Sequence, residues 1–247
     1  RSLLVTGVQT LLFRSRLIWL ETPSNPMMKV IDIVELCRQV RRVSPDIVIA
    51  VDNTFLTPIF QQPLALGADI VVHSATKYLG GHNDLLAGAV IAGNQLLAKQ
   101  LTDTLITHGQ VLDNFSAWLL IRSLKTLHLR MARHNENGQY LAKKLLNVAG
   151  ITSVKYAGVG GMISFYLAKG YDVNRFLTRL QLASFAESLG GPETLITIPA
   201  IQTHHDMTIE KREALGITDQ LVRVSAGLEN KLDIFEDIEQ AVVGAKL

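Results

Sequence analysis

The sequence predicts an α/β protein that is built on a parallel sheet and followed by a smaller α+β domain. Short apolar runs rich in β-branched residues alternate with longer amphipathic stretches. The runs show no polar alternation, which indicates strands buried on both faces, as in a parallel sheet. In the first part of the chain these runs are residues 17–20, 47–51, 70–73 and 87–92.

Composition excludes several other classes of protein. Of the 247 residues 48% are hydrophobic and 19% charged, so the composition typical of disorder is absent. A formal net charge of +2 gives no general attraction to nucleic acid or to acidic membranes. No apolar run reaches the roughly 18 residues that span a bilayer. The lone cysteine, Cys37, cannot form an internal disulfide, and we expect a cytoplasmic protein.

The amphipathic stretches predict the helices. Residues 30–43 place apolar side chains on one helical face between the first two strands, which indicates a βαβ unit. Residues 114–146 contain no proline and one glycine, Gly138, and predict a single long bridging helix.

The rest of the chain predicts the smaller domain. Residues 162–167, 182–186 and 221–224 read as strands between amphipathic helices. We therefore expect a large domain over residues 1–147 and a small domain over residues 148–247.

The most informative segment is His-Ser-Ala-Thr-Lys-Tyr-Leu-Gly-Gly-His at residues 73–82. Ser74 and Thr76 lie beside Lys77 where the third strand ends, and ligands of open α/β sheets bind at that edge. Hydroxyls and an ammonium group suit an anionic ligand. Desolvation of the lysine would lower its pKa and make its amine nucleophilic. The spacing alone leaves a surface lysine and a catalytic lysine both open.

Two other strand ends carry polar side chains. Asp52 closes the second strand, where it either caps the next helix or aims a buried carboxylate at a cationic ring nitrogen. Asn25 lies in a turn bracketed by prolines after the first strand, and an ordinary turn is the alternative. Three successive strands thus bring Asn25, Asp52 and Lys77 to one edge of the sheet.

Four segments in this order resemble the Cys/Met-metabolism (trans-sulfuration) family of pyridoxal-phosphate enzymes. They are residues 21–26 (Glu-Thr-Pro-Ser-Asn-Pro), 51–55 (Val-Asp-Asn-Thr-Phe), 73–82, and 186–191 (Ala-Glu-Ser-Leu-Gly-Gly). The resemblance implies the PLP-dependent transferase fold type I, which is aspartate-aminotransferase-like, with an N-terminally truncated large domain. It also implies a homodimer or homotetramer.

The resemblance assigns roles around pyridoxal 5′-phosphate. Lys77 resembles the lysine that holds the cofactor covalently and then moves substrate protons. Asp52 would pair with the pyridinium nitrogen and keep it protonated, so that the ring can accept electrons. Asn25 would donate a hydrogen bond to the phenolic oxygen.

The remaining cofactor contacts implied by the resemblance are Ser74 and Thr76 on the phosphate and Thr54 against the ring. The sequence also departs from the family pattern in two respects. The N-terminal portion, which holds further phosphate-binding and ring-stacking groups in the family, is missing. The segment between Tyr156 and Gly161 is shorter than the corresponding family loop.

The substrate side is expected from the C-terminal part. Arg223 is the single arginine of the last predicted strand, and by itself it is equally a surface or ion-paired residue. By the resemblance it is the bidentate clamp on the substrate α-carboxylate. Ser188 would line the same site, and Glu187 would meet the distal ammonium group of cystathionine. His204-His205-Asp206 has no further ligand at a standard spacing, so we expect no metal.

The implied activity is that of a PLP-dependent carbon–sulfur lyase or transferase. The leading hypothesis is cleavage at the γ-carbon of cystathionine or an activated homoserine, as in the cystathionine γ-lyases. The alternatives are a cystathionine γ-synthase, a cystathionine β-lyase, a methionine γ-lyase, or a non-catalytic fragment that keeps the fold. A dinucleotide-binding oxidoreductase is disfavoured, since no GxGxxG follows a predicted strand.

Overall fold

A computed structural model describes residues 15–247 of the chain, so the first fourteen residues of the predicted large domain lie outside it. The first sheet has four strands in the order β1-β2-β3-β4. Its strands are β1 (Leu17–Glu21), β2 (Val48–Asp52), β3 (Ile70–Ser74) and β4 (Gly88–Ala92).

The parallel sheet is confirmed for three of these strands. β1 pairs with β2 and β2 with β3 in parallel, with Glu21 opposite Asp52. The prediction that the fourth run is also a doubly buried parallel strand is wrong. β4 pairs antiparallel to β3 and is largely exposed. A parallel strand needs a crossover connection of a dozen or more residues, usually a helix, whereas residues 75–87 form only turns and irregular structure and let the chain reverse.

Helix α1 (Ile33–Val43) packs on the first sheet as the amphipathic pattern predicts. It begins where the Asp32 carboxylate accepts a hydrogen bond from the Glu35 amide. Cys37 lies in the core between this helix and the strands and is buried. Burial raises the pKa of its thiol, so it behaves as a small hydrophobic side chain. Helices α2 (Thr57–Phe60) and α3 (Gln95–His108) and a 3₁₀ turn (Pro63–Leu66) complete this part.

The prediction of a single bridging helix over residues 114–146 is wrong in one respect. The segment forms two helices, α4 (Asn114–Leu124) and α5 (Leu127–Leu145), which are separated by two residues. At the break the Ser123 carbonyl accepts hydrogen bonds from the amide and hydroxyl of Thr126 and from the Arg130 side chain. These side-chain donors offer the backbone an alternative to the helical ladder, which the apolar spacing does not reveal.

The second sheet has five strands in the order β5-β6-β9-β8-β7. The predicted strands at residues 162–167 and 221–224 are confirmed as β6 (Met162–Leu167) and β9 (Leu221–Ser225). The third, at residues 182–186, shrinks to the two residues of β7 (Ser184–Phe185). The sequence analysis missed β5 (Ile151–Tyr156), which is half polar at the sheet edge, and the three-residue β8 (Leu195–Thr197).

Helices α6 (Val173–Arg179), α7 (Ile209–Ala214) and α8 (Lys231–Gly244) accompany the second sheet. Its core includes the C-terminal half of α5 as well as β6, β9 and α8. The domain boundary at residues 147 and 148 stays a prediction. Across residues 15–247, no helix has the length and apolar character that a membrane crossing requires.

Candidate functional site

The carboxyl ends of β2 and β3 are joined by one hydroxyl group. The Asp52 Oδ1 atom accepts hydrogen bonds from the Thr54 amide at 3.0 Å and from the Thr54 hydroxyl at 2.6 Å. The same hydroxyl oxygen accepts one from the Ser74 amide at 2.8 Å. One carboxylate oxygen therefore fixes the local turn, and Oδ2 has no hydrogen-bond partner within residues 15–247. Asp52 does not cap helix α2, which begins at Thr57 and has Leu56 at its N-cap.

Lys77 lies in the turns that follow β3 and is half-buried. Its amide donates to the Ser74 carbonyl at 3.1 Å, and its carbonyl accepts from the Gly81 amide at 2.6 Å. Its Nζ atom donates to the Ser188 hydroxyl at 3.1 Å. Burial, and secondly the charge of Arg223, lowers the pKa of the ammonium group, while Glu187 opposes the shift.

The two hydroxyls expected on the cofactor phosphate differ in their surroundings. The Ser74 hydroxyl has no hydrogen-bond partner in the described part of the chain. The Thr76 hydroxyl is bonded to the Ala87 backbone, donating to its carbonyl at 3.3 Å and accepting from its amide at 3.0 Å. The Ser74 hydroxyl is therefore free to bind an anion, whereas the Thr76 hydroxyl also fixes the backbone of Ala87, just before β4.

Arg223 is buried in the centre of the second sheet, with 1% of its surface exposed. Its Nη2 atom donates to the carbonyls of Glu187 and Ser188 and to the Thr197 hydroxyl, at 2.5, 3.3 and 2.9 Å. Its Nη1 atom donates to the Asn25 amide oxygen at 3.1 Å. Burial lowers the pKa of the guanidinium to about 10, so it keeps its charge near neutral pH.

The structure excludes a surface or ion-paired Arg223 within residues 15–247. Its Nε atom is buried and has no hydrogen-bond partner. Since Nη2 already serves three acceptors, Nε and the second Nη1 hydrogen are the donors left for an incoming anion. These are two donors on neighbouring nitrogens, and the bidentate clamp implied by the resemblance stays a prediction.

Asn25 and Ser188 connect the first and the second sheet near Arg223. The Asn25 oxygen accepts from Arg223, which leaves its NH₂ group directed elsewhere. The neighbouring Pro26 carbonyl accepts from the Ser164 hydroxyl of β6 at 2.7 Å, which ties the turn to the second sheet. The Glu187 carboxylate is on an exposed residue at the rim.

A cleft of about 780 Å³ is lined by Ser188 of this arrangement. Thr76, Asp84 and Asp113 also line it. Ser188 therefore links the Lys77 amine to the Arg223 guanidinium beside a cleft that is large enough for a small molecule.

Sequence reasoning missed Thr197, although it is fully buried beside Arg223. Its hydroxyl accepts from Arg223 and donates to the Ala186 carbonyl at 2.6 Å, which fixes the guanidinium against the segment that carries Ser188. A threonine in a three-residue strand gives no sequence signal, because β-branched residues are ordinary strand residues.

The sequence profile described as "Cys/Met metabolism PLP-dependent enzyme" matches residues 8–243. The chain is 47% identical over 232 residues to a cystathionine gamma-synthase/O-acetylhomoserine (thiol)-lyase of Bacillus subtilis, covering 94% of this chain and 62% of the relative. It is 42% identical over 244 residues to a cystathionine gamma-lyase of the same organism, covering 92% and 64%.

A solved structure agrees with these sequence matches. The cystathionine gamma synthase of Xanthomonas oryzae pv. oryzae in complex with cystathionine superimposes with a TM-score of 0.91 at 36% identity, covering 96% of this chain and 65% of that one. The chain thus spans between 62% and 65% of the length of these relatives. With the profile match and this fold, the chain belongs to the Cys/Met metabolism family of PLP-dependent enzymes.

Proposed function

We propose that the protein is a trans-sulfuration enzyme that uses pyridoxal 5′-phosphate and cleaves the carbon–sulfur bond at the γ-carbon of cystathionine. The observation that carries the proposal is the placement of Ser188 between two groups. Its hydroxyl lies 3.1 Å from the Lys77 amine, and its carbonyl lies 3.3 Å from the Arg223 guanidinium. Ser188 thus lies between a nucleophilic amine and a cation that can bind a carboxylate. These two groups match the amine and the carboxylate in the head group of an α-amino acid.

The residues present fit the cofactor. The free Oδ2 atom of Asp52 can accept from a protonated ring nitrogen, and the Asn25 NH₂ group can donate to a phenolic oxygen. The Ser74 hydroxyl can bind the phosphate, and Thr54 lies between Asp52 and Ser74, where the ring would rest. When bound, the cofactor withdraws electrons from the substrate and makes its α- and β-hydrogens acidic.

The chain's own residues would then act as follows. Arg223 binds the α-carboxylate through the donors that the protein leaves free. The Lys77 amine, with its lowered pKa, would hold the cofactor and would take up the α-proton of the substrate. Ser188 holds that amine in place by its hydroxyl. Glu187 at the rim attracts the distal ammonium group of cystathionine.

Cleavage balances as cystathionine plus water giving cysteine, 2-oxobutanoate and ammonia. A γ-synthase is the second candidate, and one observation favours it. The relative at 47% identity carries a synthase name, whereas the lyase relative is at 42%. In that reaction cysteine displaces the leaving group of an activated homoserine, and the same residues would bind the same head group.

We further propose a cytoplasmic homodimer or homotetramer with an amino-acid substrate. Exposed apolar side chains on α4 and in the segment before it support burial against another copy. They are Val111, Phe115, Trp118 and Ile121.

One experiment separates the candidates. The protein is loaded with pyridoxal 5′-phosphate and offered L-cystathionine, or cysteine with an O-acylated homoserine. Formation of 2-oxobutanoate from cystathionine supports the lyase, and formation of cystathionine supports the synthase. A protein that takes up no cofactor contradicts both and indicates a non-catalytic fragment.

A further inference from the structure

Arg130 is a buried residue of α5 that the proposed chemistry does not use. Only 5% of its surface is exposed. Its Nη1 atom donates to the Tyr78 carbonyl at 2.7 Å, and Nη2 donates to the carbonyls of Leu79 and Ser123 at 3.4 and 3.0 Å. Its Nε atom donates to the Thr126 hydroxyl at 3.1 Å.

The charge of Arg130 has no carboxylate partner. Within residues 15–247 it forms no ion pair, and burial alone lowers its pKa. A buried guanidinium is ordinarily paired, because burying an unpaired charge costs stability. An apolar side chain would avoid that cost but would leave the three backbone carbonyls bound by Arg130 without this donor. The reason for a guanidinium therefore lies in the loop that it binds.

That loop follows Lys77 directly. The Lys77 carbonyl accepts from the Gly81 amide, and the next two carbonyls, of Tyr78 and Leu79, accept from Arg130. These residues belong to no helix or strand, so their carbonyls need donors from elsewhere. A planar fork with five N–H groups can serve neighbouring carbonyls at once, which an ammonium group cannot do in fixed geometry.

Glycines on both sides show how closely the loop is fitted. Gly81 has a φ of +66°, and a Cβ atom there would overlap the Arg130 guanidinium. On the other side, a Cβ atom at Gly190 would come within 2.7 Å of the Tyr78 amide nitrogen. The Tyr78 ring meets the His134 ring edge to face, with centroids 5.0 Å apart. Tyr78, the residue after Lys77, is thus held between α5, which carries Arg130 and His134, and the segment at Gly190.

We propose that Arg130 is a positioning residue that holds the backbone at Lys77, so that the Lys77 amine stays beside Ser188 and Arg223. It touches neither substrate nor cofactor in this account. The inference rests on the proposed function for the role of Lys77, but the geometry of the loop can be tested without it.

The first test measures hydrogen exchange in the loop of the full chain without cofactor. Arg130→Met keeps an unbranched apolar stem and removes every donor, and Arg130→Lys keeps the charge. The matched control is Arg133→Met, an exposed arginine of the same helix that pairs with Glu136. Exchange of the amides at residues 77–81 should be about tenfold faster in Arg130→Met, intermediate in Arg130→Lys and unchanged in the control.

The second test uses the protein loaded with pyridoxal 5′-phosphate. Arg130→Met should lower kcat by about tenfold to a hundredfold and alter the visible circular dichroism of the cofactor, because the amine is misplaced. KM should stay within about threefold, because Arg223 is untouched. If Arg130→Met does not fold, both the exchange test and the kinetic test are made with Arg130→Lys.

The outcomes are distinguishable. A lower melting temperature with unchanged loop exchange, unchanged dichroism and unchanged kcat per folded molecule would overturn the proposal and leave Arg130 a purely structural residue. Failure of the wild type to take up cofactor would overturn the proposed function instead, and the exchange result would still decide the role of Arg130.

Discussion

Arg223 is a cation placed where almost no solvent reaches it, and we propose that it binds the substrate carboxylate. Four protein acceptors satisfy most of its donors, so the charge is held in place before any ligand arrives. A preorganised guanidinium loses little conformational entropy on binding. The donors that remain point to one small anion rather than to a second protein group.

Replacing this residue should weaken substrate binding more than cofactor binding. Hydrogen bonds to a charged group contribute about 2 to 3 kcal/mol, so Arg223→Lys should raise KM for L-cystathionine by up to about 30- to 150-fold. An ammonium group can recover part of this loss but cannot reach Asn25 and Thr197 together. Steady-state kinetics on folded, cofactor-loaded protein measure the change.

The control is the visible absorbance of the bound cofactor, which should survive because Arg223 is assigned to the substrate. A KM within about threefold of the wild type would remove Arg223 from the carboxylate site. Loss of the absorbance would move its role to the cofactor.

Helix α5 is the element that ties the two sheets together at the site. His134 and Asn137, on the same face as Arg130, bind the chain after β9. The His134 Nδ1 atom lies 2.7 Å from the Ala226 carbonyl, and Asn137 donates to the carbonyls of Gly227 and Glu229. Since the carbonyl can only accept, Nδ1 of His134 carries a hydrogen.

The buried His134 predicts a dependence of stability on pH. Burial, and to a lesser extent the charge of Arg130, lowers its pKa to about 4. The unfolded chain, with a pKa near 6.5, therefore binds the proton more readily, and the stabilisation present above that value is lost as pH falls towards 4. Between about pH 7 and pH 5 the loss should be about 2 kcal/mol.

Urea unfolding at about pH 7 and about pH 5 measures this loss in the free energy of unfolding. His134→Asn, which keeps a donor for Ala226, should lose that part of the pH dependence. The exposed His128→Asn of the same helix should keep it. If His134→Asn retains the full dependence of the wild type, another group titrates and the assignment is wrong.

Gly138 shows how closely α5 approaches the second sheet. It packs against Gly160 in the short segment after β5, where the Gly160 amide donates to the Asn135 side chain at 2.9 Å. A Cβ atom at residue 138 would overlap the Gly160 carbonyl oxygen. This contact explains why a long helix carries a glycine in its interior.

Gly138→Ala should therefore reverse the usual effect of this substitution. In an exposed helix alanine is about 1 kcal/mol better than glycine, whereas here crowding should cost about 1 to 3 kcal/mol in the free energy of unfolding. The exposed neighbour Gln139→Ala should stay within about 0.5 kcal/mol of the wild type. Denaturant unfolding that finds Gly138→Ala stabilised would show that the contact does not form.

The helices and strands that were predicted from the sequence are those with a clear pattern of apolar residues. α1, β6 and β9 bury a regular face and were predicted closely. The antiparallel direction of β4 was not predicted, because it depends on a reversal of the chain. The break between α4 and α5 was not predicted either, because it depends on side-chain hydrogen bonds to the Ser123 carbonyl. Neither the reversal nor these side-chain bonds depend on hydrophobic spacing, so they leave no apolar period in the sequence.

The site was predictable where motifs follow strand ends. Asn25, Asp52 and Lys77 end three neighbouring strands, and the topology of a parallel sheet brings them together. Thr197 and Arg130 were not predicted, because their importance comes from hydrogen bonds to partners 26 and 52 residues away in the chain, Arg223 and Tyr78 respectively.

Across the whole molecule, the site is formed where the first sheet meets the second. The first sheet supplies the amine and the carboxylate, and the second supplies the guanidinium and Ser188. Bonds such as Ser164 to the Pro26 carbonyl keep the two sheets in register at this point. The central claim is that this junction presents Lys77 to the cofactor.

Borohydride reduction of the protein loaded with pyridoxal 5′-phosphate tests that claim most directly. Reduction fixes the cofactor to the lysine that carries it, and peptide mapping by mass spectrometry identifies that lysine. The account predicts a single label on Lys77, absent in Lys77→Ala. A label on another lysine, such as the exposed Lys125 between α4 and α5, would contradict it.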